Sequence, residues 1–235
     1  MGNRILESYF DKWAVDYQSG VDALPYYLQW SAMEIADRID LDGPRRIFDI
    51  GCGNGRLINS LGSREGLFSG ADISKEQLKL AAENSARNGL KAEFIKADLE
   101  EGLPFLPDNS IDYVISSVAL HHVRDKKRLF QDTYRVLKFG GKLVFFDFYF
   151  YFTNEEYEKR VKALGEKNPN LAKRFVDSIQ EEYETIPHSL IETHPDEFHM
   201  DPFELEKLLA EVGFVNCKII PSSDKRYIGF EGEKK

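Results

Sequence analysis

Only two cysteines, Cys52 and Cys217, occur in 235 residues, too few for a disulfide framework. No apolar run approaches the roughly 18 residues that a membrane-crossing helix needs. Met1 to Phe10 carry charge and polarity without the apolar block of an export signal, so a cytoplasmic location is the expectation. Positive charge is also in deficit: 31 Lys and Arg stand against 40 Asp and Glu, a formal net charge of −9. That balance disfavours nucleic acid and anionic membranes as partners, because it offers no broad electrostatic grip on either. Internal repeats and low-complexity tracts are absent. Apolar residues are plentiful: 42% are hydrophobic, enough for one well-buried α/β unit with an added segment.

Helical spacing predicts helices over 3–18 and 24–40, broken by Gly20 and Pro25, and Asp42-Gly43-Pro44 ends that pair. Strands and helices then alternate. Strands fall near 45–50, 66–72, 92–96, 111–117 and 141–149, and helices near 54–62, 75–88 and 125–138. Such alternation argues for a parallel sheet with helices on both faces. Ser74 suits the cap of the second of these helices and Gly89 its stop. Residues 153–183 are charged and helix-like, and 184–200 contain Pro187 and Pro195. Asp201-Pro202 starts a last helix, followed by strands near 214–220 and 225–231. Four parts follow: a helical cap at 1–44, a core at 45–152, a lid or acceptor-binding insertion at 153–200, and 201–235 completing the core.

The stretch Phe48-Asp49-Ile50-Gly51-Cys52-Gly53-Asn54-Gly55-Arg56-Leu57 carries most information. An apolar run ends in a carboxylate, and three alternating glycines lead into a helix. Glycine lets a ligand lie against the main chain, and the first N–H groups of the helix face that ligand. A dinucleotide fingerprint needs its third glycine one place later, where Arg56 stands, which weakens an NAD-dependent oxidoreductase. About twenty residues on, a second strand ends in Asp72, placed to accept hydrogen bonds from both hydroxyls of a ribose. A third ends at Ala97-Asp98-Leu99, where Asp98 can accept from an adenine amino group.

On these residues the chain resembles the class I, Rossmann-like S-adenosylmethionine (SAM)-dependent methyltransferases. Ile111-Asp112-Tyr113-Val114-Ile115-Ser116-Ser117-Val118-Ala119-Leu120-His121-His122-Val123 is similar to their fourth-strand motif. Leu137-Lys138-Phe139-Gly140-Gly141-Lys142-Leu143-Val144 is similar to the turn before strand five. The resemblance implies a seven-stranded, mostly parallel sheet with an antiparallel last strand and SAM as cofactor. It places Asp49, Gly51, Cys52, Gly53 and Gly55 in the cofactor site, with Cys52 a small filler. Asp72 and Ile73 would hold ribose, Asp98 and Leu99 adenine, and Ser116 and Ser117 the methionine end. Tyr9 to Tyr17 resembles the aromatic helix that folds over the cofactor in the family, with Tyr17 as a contact. Asp49 has a plainer alternative, bracing the glycine loop through its N–H groups, and Asp98 has one too, as a turn residue only.

Methyl transfer needs positioning above all, and a general base only if the nucleophile must lose a proton. His121 and His122 follow strand four, where neighbouring side chains point in different directions, so one of them faces the pocket. The plainer alternative is that both are loop residues. Asp147, inside the aromatic run Phe145 to Phe152, is the second candidate base, and a costly buried charge unless partnered. The aromatics past strand five would either wall the acceptor site or pack under the insertion. No metal is expected: adjacent histidines do not converge on one ion, and His188, His194 and His199 with Glu192, Asp196 and Glu197 read as a solvated loop.

The Asn/Asp-Pro-Pro-aromatic signature of base-amine and glutamine methylases is replaced by Ser116-Ser117-Val118-Ala119. Residues 116–123 and the 138–141 turn resemble the ubiquinone/menaquinone-biosynthesis group instead. The expectation is methyl transfer to a small organic acceptor through O, C or N, by a monomer or homodimer. The alternatives are a tRNA wobble-uridine-type methyltransferase and a non-catalytic SAM-binding regulator.

Overall fold

The computed structural model describes residues 6–8, 10–11, 14, 25–62, 66–148, 202–221 and 227–235. Tyr17, the aromatics at 149–152 and the proposed lid at 153–200 lie outside the described residues. Seven strands form one sheet: β1 Arg46–Ile50, β2 Leu67–Asp72, β3 Ala92–Lys96, β4 Ile111–Ser117, β5 Leu137–Phe148, β6 Phe214–Pro221 and β7 Tyr227–Lys234. Their order is β3-β2-β1-β4-β5-β7-β6. The pairs from β3 through to β5 are parallel, and β7 runs antiparallel to both β5 and β6. The expected mostly parallel Rossmann-like sheet, with its antiparallel last strand, is present.

Helices α1 Pro25–Ala36, α2 Arg56–Leu61, α3 Lys75–Arg87, α4 Lys126–Val136 and α5 Pro202–Val212 cover the faces. The sequence accounts for this layering. In β1 the four residues after Arg46 are all buried, as a central parallel strand sandwiched by helices requires. Successive strand residues then feed opposite cores. Phe48, Val114 and Phe145 join Leu129, Phe130, Leu209 and Phe230 on one face. Ile47, Ile115, Val144 and Phe146 join Ile35, Leu57 and Ile58 on the other.

Helix α3 begins where expected, because the Ser74 hydroxyl accepts from the Gln77 amide. Asp125 caps α4 in the same way, accepting from the Arg128 amide. Two differences from the sequence reading concern chain ends. Helix α4 stops at Val136, and β5 starts at once at Leu137, with Gly140 at φ 76° turning the strand within its own length. Two short 3₁₀ turns, Leu99–Glu101 and Leu120–His122, stand where the sequence suggested loops.

Strand order reverses between β1 and β4, so the connections that leave their carboxyl ends part to opposite sides and leave a crevice. The glycine loop leaves β1 and the histidine turn leaves β4, and both open onto that crevice.

Candidate active site

The crevice is a cleft of about 1010 Å³, part of it open to solvent. Its first wall grows from β1 and β2. Gly51, Gly53 and Gly55 all take positive φ, of 69°, 49° and 75°. The loop is pinned to β2, since the Gly51 and Cys52 amides donate to the Ala71 carbonyl at 2.9 and 3.0 Å. A Cβ on Gly51 would sit 2.3 Å from the Ala119 Cβ, so only glycine lets the two walls approach this closely. Cys52 is buried on the wall and pushed up in pKa by burial, and packs beside Gly70. Gly55 stands behind the wall, where a Cβ would press on Ala81 of α3 at 3.0 Å.

Asp49 is 1% exposed, lines the cleft, and neither carboxylate oxygen has a hydrogen-bond partner among the described residues. Burial pushes its pKa well above the usual carboxylate range, and the nearby Asp72 charge pushes it further. The loop-bracing role weighed for Asp49 belongs instead to Asp72. One Asp72 oxygen accepts from the Gly53 amide at 2.9 Å and the other from the Ser74 amide at 2.9 Å. Burial raises its pKa, and these amides hold it back. A carboxylate has about four lone-pair sites, so these bonds do not saturate it. Ile73 follows on the same wall.

Gln77, which the sequence reading passed over, is 2% exposed, lines this wall, and its side-chain oxygen has no hydrogen-bond partner among the described residues. The spacing Ser74-x-x-Gln77 was legible as a capping box, in which the glutamine reaches back to the cap amide. Here Asp72 already accepts from that amide, which releases Gln77 to the cleft.

At the floor, Asp98 caps its 3₁₀ turn by accepting from the Glu100 amide at 3.1 Å, and Leu99 lies beside it on the cleft surface. Glu100 in turn accepts from the Arg124 and Asp125 amides, tying this turn to the opposite wall.

The second wall comes from β4. Ser117 lines the cleft and shares a 2.8 Å hydrogen bond with Ser31 of α1. Ser116 points away, donating to the Ile50 carbonyl at 2.8 Å, and does not line the cleft. Val118 holds φ 58°, a costly value for a β-branched residue, with its amide donating to the Phe146 carbonyl at 2.8 Å. The two histidines then take different directions. His121 turns inward, its Nδ1 2.6 Å from an Asp147 oxygen, while the other Asp147 oxygen accepts from the Leu120 and His121 amides at 2.7 and 3.1 Å. Asp147 is thus partnered, and neither it nor His121 lines the cleft. His122 does. Its ring packs on His121 at 4.0 Å between centroids, and Phe10 meets it edge-on at 5.3 Å.

No group of three or more His, Cys, Asp or Glu side chains able to hold a metal exists among the described residues. No described helix is long and apolar enough to cross a membrane.

Sheet order, glycine loop and strand-end acids together define a Rossmann-like nucleotide cleft. A family model described as a methyltransferase domain matches residues 48–145. The ubiquinone/menaquinone biosynthesis C-methyltransferase UbiE of Pseudomonas entomophila is 32% identical over 184 residues, 75% of this chain and 68% of that protein. Among solved structures, a SAM-dependent methyltransferase from Aquifex aeolicus matches with TM-score 0.62 at 18% identity, over 91% of this chain and 96% of that one. Phosphoethanolamine N-methyltransferase 2 of Haemonchus contortus, in complex with SAM, matches with TM-score 0.61 at 17% identity, over 86% and 52%. The chain belongs to the class I SAM-dependent methyltransferases. Its cofactor is SAM, and the cleft fits it: glycine backbone and the buried Asp49 carboxyl both lie on its surface.

Proposed function

We propose that this chain transfers the SAM methyl group to a small organic acceptor that approaches His122. The observation that carries the reading is the meeting, in one cleft, of the donor loop after β1 with His122 in the turn after β4, against the ring of Phe10. Relatives named as C-methyltransferases of ubiquinone/menaquinone biosynthesis support an acceptor of that size. A net charge of −9 supports it too, since tRNA would demand a basic surface.

In this reading Asp72 accepts from the ribose hydroxyls through its remaining lone pairs, and Asp98 with Leu99 holds the adenine. Asp49 supplies the countercharge to the cationic methionine end, and Gln77 offers its oxygen to the same ligand. When bound, SAM supplies an electrophilic methyl group that needs chiefly to be held in line with its target. His122 takes the proton of an acceptor O–H or acidic C–H. Asp147 acts through backbone, fixing the Leu120–His122 turn by accepting two of its amides. Phe10 and the apolar wall keep water from the reacting atoms.

The test is transfer of radiolabelled methyl groups from SAM into a small-molecule extract and into bulk tRNA. Label in small organic products supports the proposal. Label in tRNA alone overturns it.

A further inference from the structure

The N-terminal residues reach the cleft from outside the α/β core, and their contacts fall on both walls. Leu6 and Phe10 line the cleft, and Phe10 sets its ring edge on His122. Its neighbour Asp11 faces the other wall. One Asp11 oxygen accepts from the Ser74 hydroxyl at 2.6 Å and from the Glu76 amide at 3.3 Å. Ser74 is fully buried, and its amide donates to Asp72, whose second oxygen holds the Gly53 amide. A continuous hydrogen-bonded path therefore runs from Asp11 through Ser74 and Asp72 to the glycine loop. Glu7 adds an ion pair with Lys96 at the end of β3, and Ala14 is buried.

The Ser74 hydroxyl caps helix α3 by accepting from the Gln77 amide, and Asp11 takes the Glu76 amide of the same first turn. What Asp11 adds is a tie between segments 63 residues apart. We propose that Asp11 is a positioning residue that latches the N-terminal segment across the cleft and couples this closure to the Asp72 site, so that release of SAM requires the Asp11–Ser74 bond to open. The proposal rests on the reading of Asp72 as a cofactor ligand. A ligand held by Asp72 fixes the turn that presents the Ser74 hydroxyl, and the latched segment brings Phe10 onto His122 in the same movement. One contact thereby closes the donor side and dries the acceptor side.

The experiment measures the dissociation rate of radiolabelled SAM from wild-type, Asp11→Ala and Asp11→Asn proteins, with hydrogen exchange of residues 6–14 beside it. The Asn variant keeps an oxygen that accepts from Ser74. Expected is about a tenfold faster release from Asp11→Ala, the loss of one hydrogen bond to a charged group, with most of the wild-type rate kept in Asp11→Asn. SAM should also slow exchange over residues 6–14 in the wild type and not in Asp11→Ala. Equal release rates and equal protection in all three proteins would overturn the latch. A wild-type chain that binds SAM while Asp72→Ala binds it equally well would remove the reading of Asp72, and the coupling with it.

Discussion

The two walls of the cleft treat their buried carboxylates in opposite ways. On the β1 side, Asp49 lies at the cleft with no hydrogen-bond partner among the described residues. On the β5 side, Asp147 accepts from two amides and faces the His121 ring, and stays off the cleft surface. An unpartnered buried carboxylate is expensive and persists where a ligand completes it, whereas a saturated one fixes its neighbours. In the proposed reading the first wall is completed by the cofactor, while the second holds a turn still. His122 is the part of that turn presented to the cleft.

Substitutions on the two walls should separate accordingly. The largest effect is expected at His122: His122→Ala should lower kcat by about 10²–10⁴-fold, while SAM affinity stays within about twofold. Steady-state kinetics beside calorimetry decides it, and an unchanged kcat would leave the second wall without its base. Next comes Asp147→Ala, which strips the acceptor from three buried donors. At about 1 kcal/mol or more each, it should cost about 3 kcal/mol of stability in urea unfolding. A loss of SAM affinity with stability intact would blur the distinction between the walls.

Gly51→Ala should cost about 2 kcal/mol or more in SAM binding, through overpacking against Ala119 added to backbone strain. Gly53→Ala meets nothing nearer than 3.9 Å and carries the strain alone. Equal losses at the two glycines would show that close approach of the walls is unimportant. Asp72→Ala should weaken SAM by about 1–2 kcal/mol, the worth of hydrogen bonds to a charged acceptor. Unchanged affinity would dismiss it as a ribose ligand.

Much of the first wall was legible in the chain, because strand, acid and glycine loop follow one another in sequence. The sheet was legible for the same reason: apolar runs such as Leu143–Phe146 separate amphipathic helices. Hydrogen-bond partners were not. Asp49 and Asp72 both end strands, and which of them braces the loop depends on how the Gly53 amide turns after folding. The pairing of His121 with Asp147 joins residues 26 apart, one in the turn after β4 and one on β5, and leaves no periodic trace. Gln77 was hidden because its role depends on Asp72 having taken the Ser74 amide first. Asp11 escaped notice similarly, since an acidic residue on a helix is ordinarily a solvated one.

The countercharge at Asp49 is tested most directly by counting protons on SAM binding. Burial holds the Asp49 carboxyl above its ordinary range, and in the proposed reading a cationic ligand beside it favours the ionised form and so releases protons on binding. A proton lost on binding makes affinity rise with pH, by up to about tenfold per unit, until pH passes the raised value of the free protein. Calorimetry in two buffers of different ionisation enthalpy should show proton release by the wild type, and markedly less by Asp49→Asn. Identical release by both proteins would contradict a cofactor site built around an unpartnered Asp49.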